Sequence, residues 1–208
     1  MNIAILGATG GTGLELVRRC LESGHSVTAF ARKPDSLMKF RGKIKVVAGN
    51  LLNAGELTSV LHGHDAVLSG FGPRVPIAKT DAHLLRDFAT TLITSMKQAG
   101  LRRAVIISTA FLFKDSIIPP TYLIGKLLFS SVVKDATEME AIIRGSAFEW
   151  TIVRPPQLTD LPFTGRYRER IDHLPPFGFK ISRADVAHYF VKILNEKGVI
   201  RQVVGISN

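Results

Sequence analysis

Short apolar runs alternate with longer segments of helical periodicity along most of the chain. The apolar runs are continuous, which is typical of strands whose two faces are both covered in a parallel sheet. They predict strands at residues 2–6, 26–31, 44–48, 65–69, 103–108 and 149–153. Helical periodicity between them predicts helices at residues 12–23, 54–61, 80–99 and 134–143.

The alternation of strand and helix indicates the fold class. Gly24 and Gly100 follow two of the helical segments, a common position for the glycine that ends a helix. The pattern predicts an α/β protein with a Rossmann-type, doubly wound parallel sheet and right-handed crossovers. Residues 155–181, rich in proline, glycine and charge, are predicted to form a short irregular cap on the substrate side. A last helix at 183–195 and a last strand at 202–206 complete one domain, residues 1–208.

Length and composition limit the class of protein. A chain of 208 residues with 46% hydrophobic residues can bury one core, which excludes a disordered protein. The longest uncharged apolar run, residues 104–113, is about half of the ~20 residues that a spanning helix needs. Cys20 has no second cysteine to pair with, and the N-terminus lacks the pattern of a secretory signal. We therefore expect a cytoplasmic protein with no membrane partner.

The charge balance bears on the partner. Lys and Arg number 27 against 17 Asp and Glu, a formal net charge of +10, which favours anionic partners. The basic run at residues 166–170 includes a tyrosine, but no nucleic-acid-binding motif accompanies it. We expect a small anionic molecule as partner, no specific nucleic acid, and a monomer or weak homodimer.

A glycine-rich segment directly after the first strand is the most informative motif. Its spacing provides a tight turn, a close approach of backbone to a pyrophosphate, and close packing of strand against helix. The helix that follows offers free N–H groups and a positive dipole end to phosphates. The candidate cofactor-binding residues here are Gly7, Thr9, Gly10, Gly11, Thr12 and Gly13.

The end of the second strand indicates which dinucleotide is bound. An NAD site usually carries an Asp or Glu about 20 residues past the glycine motif, to bind the adenosine ribose. Arg32 and Lys33 stand there instead. The planar guanidinium of Arg32 can bind a 2′-phosphate at two points, and Lys33 adds positive charge. We therefore expect NADP(H), with NAD(H) less favoured.

Two further segments fall at the carboxyl ends of predicted strands, where ligands of open α/β sheets collect. Asn50 and Leu51 follow the third strand, and the side chain of Asn50 can hydrogen-bond the adenine edge. Gly72 and Arg74 follow the fourth strand and complete the candidate cofactor-binding set on this side.

Other motifs are spread over nearly the whole chain: Ser-Thr-Ala-Phe at 108–111, Val-Arg-Pro-Pro at 153–156, Leu-Pro-x-Thr-Gly-x-Tyr at 161–167 and Ile-Ser-Arg-Ala-Asp-Val-Ala at 181–187. With the glycine-rich start and the Gly72-x-Arg74 loop, they resemble the atypical short-chain dehydrogenases of the NAD(P)H-binding type. The branch that contains biliverdin-IXβ and flavin reductases is the most similar.

This resemblance implies roles for individual residues. The glycine-rich loop would hold the pyrophosphate, Arg32 the 2′-phosphate, and Asn50 with Leu51 the adenine. The nicotinamide would be bordered by Ser108 and Thr109, the candidate catalytic residues, and by Pro156, Gln157 and Leu158. This chain has Thr109 where the reductases carry a serine, and Gln157 where they carry a histidine.

The spacing of Tyr122 and Lys126 matches the catalytic pair of typical short-chain dehydrogenases, and Thr109 precedes Tyr122 by thirteen residues. Alignment on residues 140–151, however, places that pair nearer Val132 and Ala136, which carry no acid or base. A reductase of a flavin or linear tetrapyrrole does not need the tyrosine, because the nicotinamide carries the hydride. We therefore predict an NAD(P)H-dependent reductase of a planar acceptor such as a flavin, bilin or quinone.

The acceptor is expected to bind beside the nicotinamide, and two other functions are compatible with a dinucleotide-binding fold. Phe111, Phe113, Arg74 and Arg166 would form a basic, partly apolar mouth. A non-catalytic NADPH-binding redox sensor is the alternative, because fold does not fix function. A sugar-nucleotide epimerase would need a larger C-terminal domain.

Two other groups of polar residues are weak candidates for a metal site and for a hydrolase triad. The pair His62 and His64 lacks the further ligands of a metal site, so no metal is expected. Ser108, Asp185 and His188 lack the nucleophile elbow that a hydrolase triad requires.

Overall fold

The computed structural model describes residues 1–72, 83–113 and 130–208. The strands are β1 Asn2–Leu6, β2 Ser26–Ala31, β3 Lys45–Ala48, β4 Ala66–Ser69, β5 Arg103–Ile107, β6 Glu149–Arg154, β7 Gln157–Thr159, β8 Arg168–Ile171, β9 Lys180–Ser182 and β10 Gln202–Ser207. The helices are α1 Gly11–Glu22, α2 Ala54–Leu61, α3 Leu84–Ala99, α4 Ser130–Arg144 and α5 Arg183–Lys192.

One eight-stranded sheet organises these elements, in the order β3-β2-β1-β4-β5-β6-β10-β8. Its strands pair in parallel except β8, which runs antiparallel to β10. The order reverses direction between β1 and β4, where a doubly wound sheet opens a ligand crevice beyond the carboxyl ends of its strands. The predicted Rossmann-type α/β class is confirmed.

The core lies on both faces of the sheet, as the continuous apolar strands predict. In β1, Ile3 and Ile5 pack into one cluster with residues of α1 and α5. Ala4 and Leu6 pack into the other with residues of α2, α3 and α4. Successive side chains of a strand point to opposite faces, so nearly all residues of the central strands are buried under one helix layer or the other, whereas the edge strands β3 and β8 are largely exposed.

The predicted bounds agree with the structure to within one residue for most elements. Helix α3 begins at Leu84 rather than at residue 80, and α4 already includes Ser130 rather than beginning at 134. Helix α5 ends at Lys192 and continues as a short 3-10 turn, Ile193–Asn195. No helix among the described residues has the length and apolarity to span a membrane.

The prediction of an irregular cap at residues 155–181 is wrong in part. β7 and β9 form a two-stranded parallel sheet, and β8 adds an edge strand to the main sheet. The four residues of β8 are all exposed, so the sequence carries no apolar signal for a strand there. Backbone pairing with β10 makes this strand, and hydrophobicity patterns do not reveal such pairing.

Candidate functional site

The glycine-rich loop turns sharply between β1 and α1. Gly7 has a φ of +69°, and its carbonyl accepts a hydrogen bond from the N–H of Gly10 at 3.0 Å. A Cβ on Gly7 would lie 2.8 Å from the backbone of Phe71, in the loop after β4. A Cβ on Gly13 would overlap the carbonyl oxygen of Gly7. Glycine is therefore required at positions 7 and 13 by the close approach of two loops and a helix.

The N-terminus of α1 is open for an anion. Gly10 caps the helix without a side-chain hydrogen bond, and the first turn contains no acidic residue. The N–H groups of Gly11, Thr12 and Gly13 have no acceptor within the described ranges. Free amides at the positive end of a helix dipole form an anion site. This is the arrangement that the sequence predicts for a pyrophosphate.

Arg32 and Lys33 lie beside that loop. The register pairs Leu6, the last residue of β1, with Phe30, so Arg32 and the glycine-rich loop follow the carboxyl ends of two neighbouring strands. Both cations are exposed, and Arg32 has no hydrogen bond or ion pair in the part of the chain that the structure describes. Its guanidinium is therefore free to bind an anion at this edge of the sheet.

The segment after β3 is held by α2. The backbone N–H of Asn50 donates to Glu56 Oε2 at 2.7 Å, and its Oδ1 accepts from the N–H of Leu52 at 3.1 Å. The side-chain NH₂ of Asn50 stays available, because no partner for it lies in the described segments. Leu51 is buried in the core, so its side chain helps to anchor this loop.

Beyond β4, no atom of the described residues lies within 4 Å of where a Cβ on Gly72 would be, and Phe71 packs on Phe88 at 4.8 Å between ring centroids. Arg74 lies outside the described residues. Tyr122 and Lys126 lie outside them too, so their proposed pairing stays a prediction.

The ends of β5 and β6 form the other half of the crevice. Ser108 N–H donates to the Val153 carbonyl at 2.8 Å, and Ala110 N–H donates to the Pro155 carbonyl at 3.0 Å. Thr109 is extended, and its Oγ1 accepts from the N–H of Phe111 at 3.3 Å. The structure thus places Thr109 beyond the carboxyl end of β5, two strands from the glycine-rich loop.

Ser108 points to a buried ion pair. Its Oγ donates to Glu140 Oε1 at 2.5 Å. Arg154 binds the same carboxylate at two points, with Nε to Oε1 at 2.9 Å and Nη2 to Oε2 at 2.5 Å. The guanidinium carbon of Arg154 lies 4.6 Å from the ring centroid of Phe113, a cation–π contact. Ser108, Glu140 and Arg154 therefore form one network below the crevice.

Sequence reasoning missed this network. Glu140 occupies a core position of α4 beside Met139 and Ile143, and Arg154 ends β6, a strand that is buried along nearly its whole length. A charge at a core position of each of two neighbouring elements is the signal that indicates a buried pair. The network also corrects one prediction, because Phe113 is 3% exposed under Arg154 and cannot line an acceptor mouth.

The segment predicted to border the nicotinamide is ordered by the small sheet. The backbone N–H of Gln157 donates to the Phe179 carbonyl at 3.3 Å, and its side chain is exposed. Pro156 is half-buried, and Leu158 packs against the core. Arg166 is exposed in the loop after β7.

The residues of the possible catalytic triad and of the histidine pair bind other partners in the structure. Ser108 binds Glu140, Asp185 binds Ser182, and the Nδ1 of His188 binds Tyr167, so the three residues do not form a triad. His64 Nε2 binds the Thr28 hydroxyl at 2.9 Å.

Among the described residues, His83, Asp135 and Glu138 come together as possible metal ligands. Both carboxylate oxygens of Asp135 accept backbone N–H groups at the start of α3, at 2.8 and 3.0 Å. Helix capping therefore accounts for Asp135.

Comparison with protein families gives a match over residues 7–197 to the family described as NAD(P)H-binding. The uncharacterised protein YwnB of Bacillus subtilis is 26% identical over 94% of this chain and 92% of its own length. The photosystem II assembly factor Ycf39 of Synechocystis is 26% identical over 52% of this chain. The chain matches 33% of the length of Ycf39 and 61% of a second relative, an uncharacterised chloroplastic protein of Arabidopsis thaliana.

Solved structures share the fold across the whole chain. The anaerobilin reductase ChuY of Escherichia coli O157:H7 superposes with a TM-score of 0.80 at 21% identity, over 100% of this chain and 97% of its own. A short-chain dehydrogenase/reductase of Veillonella parvula in complex with NADP superposes with a TM-score of 0.78 at 20% identity, over 100% and 94%. A putative exported protein of Burkholderia pseudomallei has a TM-score of 0.83 at 24% identity, over 100% of both chains. At these identities the likeness shows the fold, and cytoplasmic location stays a prediction.

Proposed function

This chain belongs to the NAD(P)H-binding family, and from that premise we propose that it is a reductase that passes a hydride from NADPH to a planar acceptor such as a flavin. Bilins and quinones belong to the same class of acceptor. The observation that carries the proposal is one edge of the sheet, where an open helix N-terminus and the exposed Arg32 lie with the carboxyl ends of β5 and β6.

The residues of the crevice fit a dinucleotide. Gly7 and Gly13 keep the backbone where a Cβ would obstruct it, and three free N–H groups of α1 suit the pyrophosphate. When bound, the nicotinamide supplies the hydride, and the protein supplies binding, orientation and electrostatics. Asn50 offers its side-chain NH₂ toward the adenine side.

The preference for NADPH rests on Arg32. Arg32 is exposed, without a partner in the described segments, and it follows the strand that neighbours the one before the glycine-rich loop. A planar guanidinium binds a phosphate at two points, which a ribose hydroxyl cannot match. Lys33 adds charge without a fixed geometry.

On the nicotinamide side, Thr109 offers a hydroxyl and Pro156, Gln157 and Leu158 offer a mixed polar and apolar border. The Ser108 hydroxyl is committed to Glu140, so we assign it the role of holding the end of β5 in place. A flavin or bilin takes its proton from water, and the positive charges of Arg74 and Arg166 would suit its planar anionic form.

The test is to mix the purified protein with NADPH and FMN and to follow the nicotinamide absorbance band. We expect turnover that exceeds a protein-free control and that is slower when NADH replaces NADPH. A quinone and a bilin, tested in parallel, define the acceptor within the class. Absence of NADPH oxidation with all three acceptors would contradict the reductase.

The alternative is a redox sensor that binds NADPH without turnover. The commitment of Ser108 to the buried network favours it, because Thr109 is then the remaining hydroxyl at the described end of β5. Tight NADPH binding in the absence of turnover would support the sensor.

A further inference from the structure

Arg183, the first residue of α5, extends over the phosphate-binding loop. A Cβ placed on Gly11 would lie 2.7 Å from its Cδ and 2.8 Å from its Nε. Gly11 is helical and does not have a positive φ. The approach of this arginine therefore explains why position 11 accommodates glycine and no larger residue without a shift.

Asp160 forms an ion pair with the guanidinium of Arg183. Arg183 Nη1 donates to Asp160 Oδ1 at 2.7 Å. The side chain of Asp160 is 87% exposed, whereas that of Arg183 is 27% exposed. An ion pair with one partner so exposed is screened by water and held weakly.

The two residues sit on a fixed base. Thr159 pairs with Ser182 in the register of β7 and β9, so Asp160 and Arg183 follow directly from neighbouring strands. The Ser182 hydroxyl accepts from the N–H of Asp185 at 2.9 Å and fixes the first turn of α5. Arg183 therefore has an ordered backbone from which its side chain can change partner.

The charges around Gly11 define the partner. The first turn of α1 has free N–H groups and no acidic residue, so its field is positive. Adding a guanidinium increases that field, which favours an anion directly over Gly11. Asp160 is the carboxylate that neutralises Arg183 within the described structure.

We propose that Arg183 is a ligand of the cofactor pyrophosphate, and that Asp160 is the internal counter-ion which the pyrophosphate displaces. The proposal rests on cofactor binding by the family, and does not depend on which acceptor is reduced. A doubly charged pyrophosphate competes well against one exposed carboxylate for a guanidinium. Binding would thereby fix the segment between β7 and α5 against the cofactor.

Opposite effects of two substitutions test the proposal. NADPH affinity is measured by titration calorimetry on the wild type, Arg183→Met and Asp160→Asn. We expect Arg183→Met to weaken binding by about tenfold, as one lost charge-assisted contact does. Asp160→Asn removes the competitor, so we expect it to tighten binding by roughly twofold or more, the gain that release from a weak exposed pair permits.

A fragment ligand separates this contact from the 2′-phosphate contact. Adenosine 2′-monophosphate carries the 2′-phosphate and lacks the pyrophosphate. Its affinity is expected to be the same for the wild type and Arg183→Met, and lower for Arg32→Met.

Two results would overturn the proposal. One is an NADPH affinity unchanged in Arg183→Met. The other is a loss of affinity in both Arg183→Met and Asp160→Asn, which indicates that the pair acts as a structural tether. Thermal unfolding without cofactor verifies that each variant is folded, and Arg183→Gln, which also removes the charge, is expected to reproduce the loss if Arg183→Met does not fold. All of these experiments measure binding constants. Their outcome is therefore independent of whether the protein proves to be a reductase.

Discussion

At the scale of single residues, the exposed cation at the end of β2 decides cofactor choice. Arg32→Asp should weaken NADPH binding and spare NADH, because a carboxylate repels the 2′-phosphate and accepts from the ribose hydroxyls. Loss of one charge-assisted contact is worth ~1.5–3 kcal/mol, or roughly 10- to 150-fold in affinity. Lys33→Asp is the matched control with a smaller expected effect. Equal affinity of the wild type for NADPH and NADH, measured by calorimetry, would contradict the assignment.

Thr109 is the second residue whose role can be isolated. Its Oγ1 accepts from the N–H of Phe111 and caps the short turn after β5. If the hydroxyl also aligns the nicotinamide, Thr109→Val should slow single-turnover flavin reduction by up to ~10²-fold, because misplacement by ~1 Å costs that much. NADPH affinity, carried mainly by the phosphates, should change by only ~1 kcal/mol.

Thr109→Ser is the control for this prediction, because it keeps the hydroxyl and removes a methyl group. It should reduce flavin at a rate near that of the wild type. A wild-type rate in Thr109→Val would show that the hydroxyl has no part in hydride transfer.

At the scale of elements, the buried ion pair joins α4 to β6 and to the end of β5. Glu140 and Arg154 are 3% and 8% exposed, and the carboxylate also accepts from Ser108. Glu140→Ala should destabilise the fold by ~3–5 kcal/mol, because it leaves a buried guanidinium without its partner. Urea unfolding measures the change in the free energy of unfolding.

The double variant Glu140→Leu with Arg154→Met tests whether the loss of stability comes from the missing ion pair or from the buried charge left unpaired. An apolar replacement of both partners is often neutral, so the double variant should recover much of the loss. A double variant as unstable as Glu140→Ala would mean that the network holds β5 through Ser108 in a way that apolar packing cannot replace.

Helix α5 and the segment before β8 are joined by a titratable contact. Tyr167 Oη lies 2.7 Å from His188 Nδ1. Burial, followed by the charge of Arg19, lowers the pKa of His188 below its ordinary value of 6.5, and Lys192 adds to the effect against the opposing Asp185. A histidine with a lowered folded-state pKa stabilises the fold fully above pH 6.5, and this contribution declines as the pH falls.

His188→Gln should therefore flatten the acid side of the stability profile. The measurement is the urea midpoint of wild type and variant above and below pH 6.5, the ordinary pKa of the ring. The gap between them should narrow at the lower pH, and Tyr167→Phe, which keeps the histidine, should retain the slope. A gap that stays constant across the two pH values would exclude His188 as the source.

The end of the cap illustrates what sequence can and cannot predict about an element. Ser182 and Asp185 stand three residues apart at a helix start, which is a capping-box spacing that the sequence displays. The structure adds that Asp185, fully buried, also accepts from the N–H groups of Thr164 and Gly165 at 3.0 and 2.9 Å. That second set joins residues about twenty positions apart, and no local pattern encodes it.

At the scale of the whole molecule, the fold class was predictable because the apolar runs of β1, β2, β4, β5 and β6 are buried on both faces of the sheet. Ile3 and Leu6 illustrate this, since each is fully buried and each belongs to a different layer. The glycine-rich loop was predictable for the same reason, since its positions are fixed by sterics within one strand–turn–helix unit. Edge strand β8 and the Glu140–Arg154 pair depend on contacts between distant segments, which a single sequence does not reveal.

Cofactor binding should stabilise the whole molecule, and the size of the effect separates the two dinucleotides. A ligand that binds the folded state at 100 times its Kd adds ~2.7 kcal/mol. For a chain of 208 residues, 1 kcal/mol raises Tm by roughly 2–4 °C, so NADPH at that excess should raise Tm by ~5–11 °C. NADH at the same concentration should give a smaller shift in Tm, and the order of the two shifts should invert in Arg32→Asp.

The formal net charge of +10 should make these Tm shifts depend on salt. Added salt screens long-range attraction, so it should reduce the NADPH shift more than the NADH shift. Equal shifts for NADPH and NADH at every salt concentration would refute both the role of Arg32 and the contribution of the overall charge.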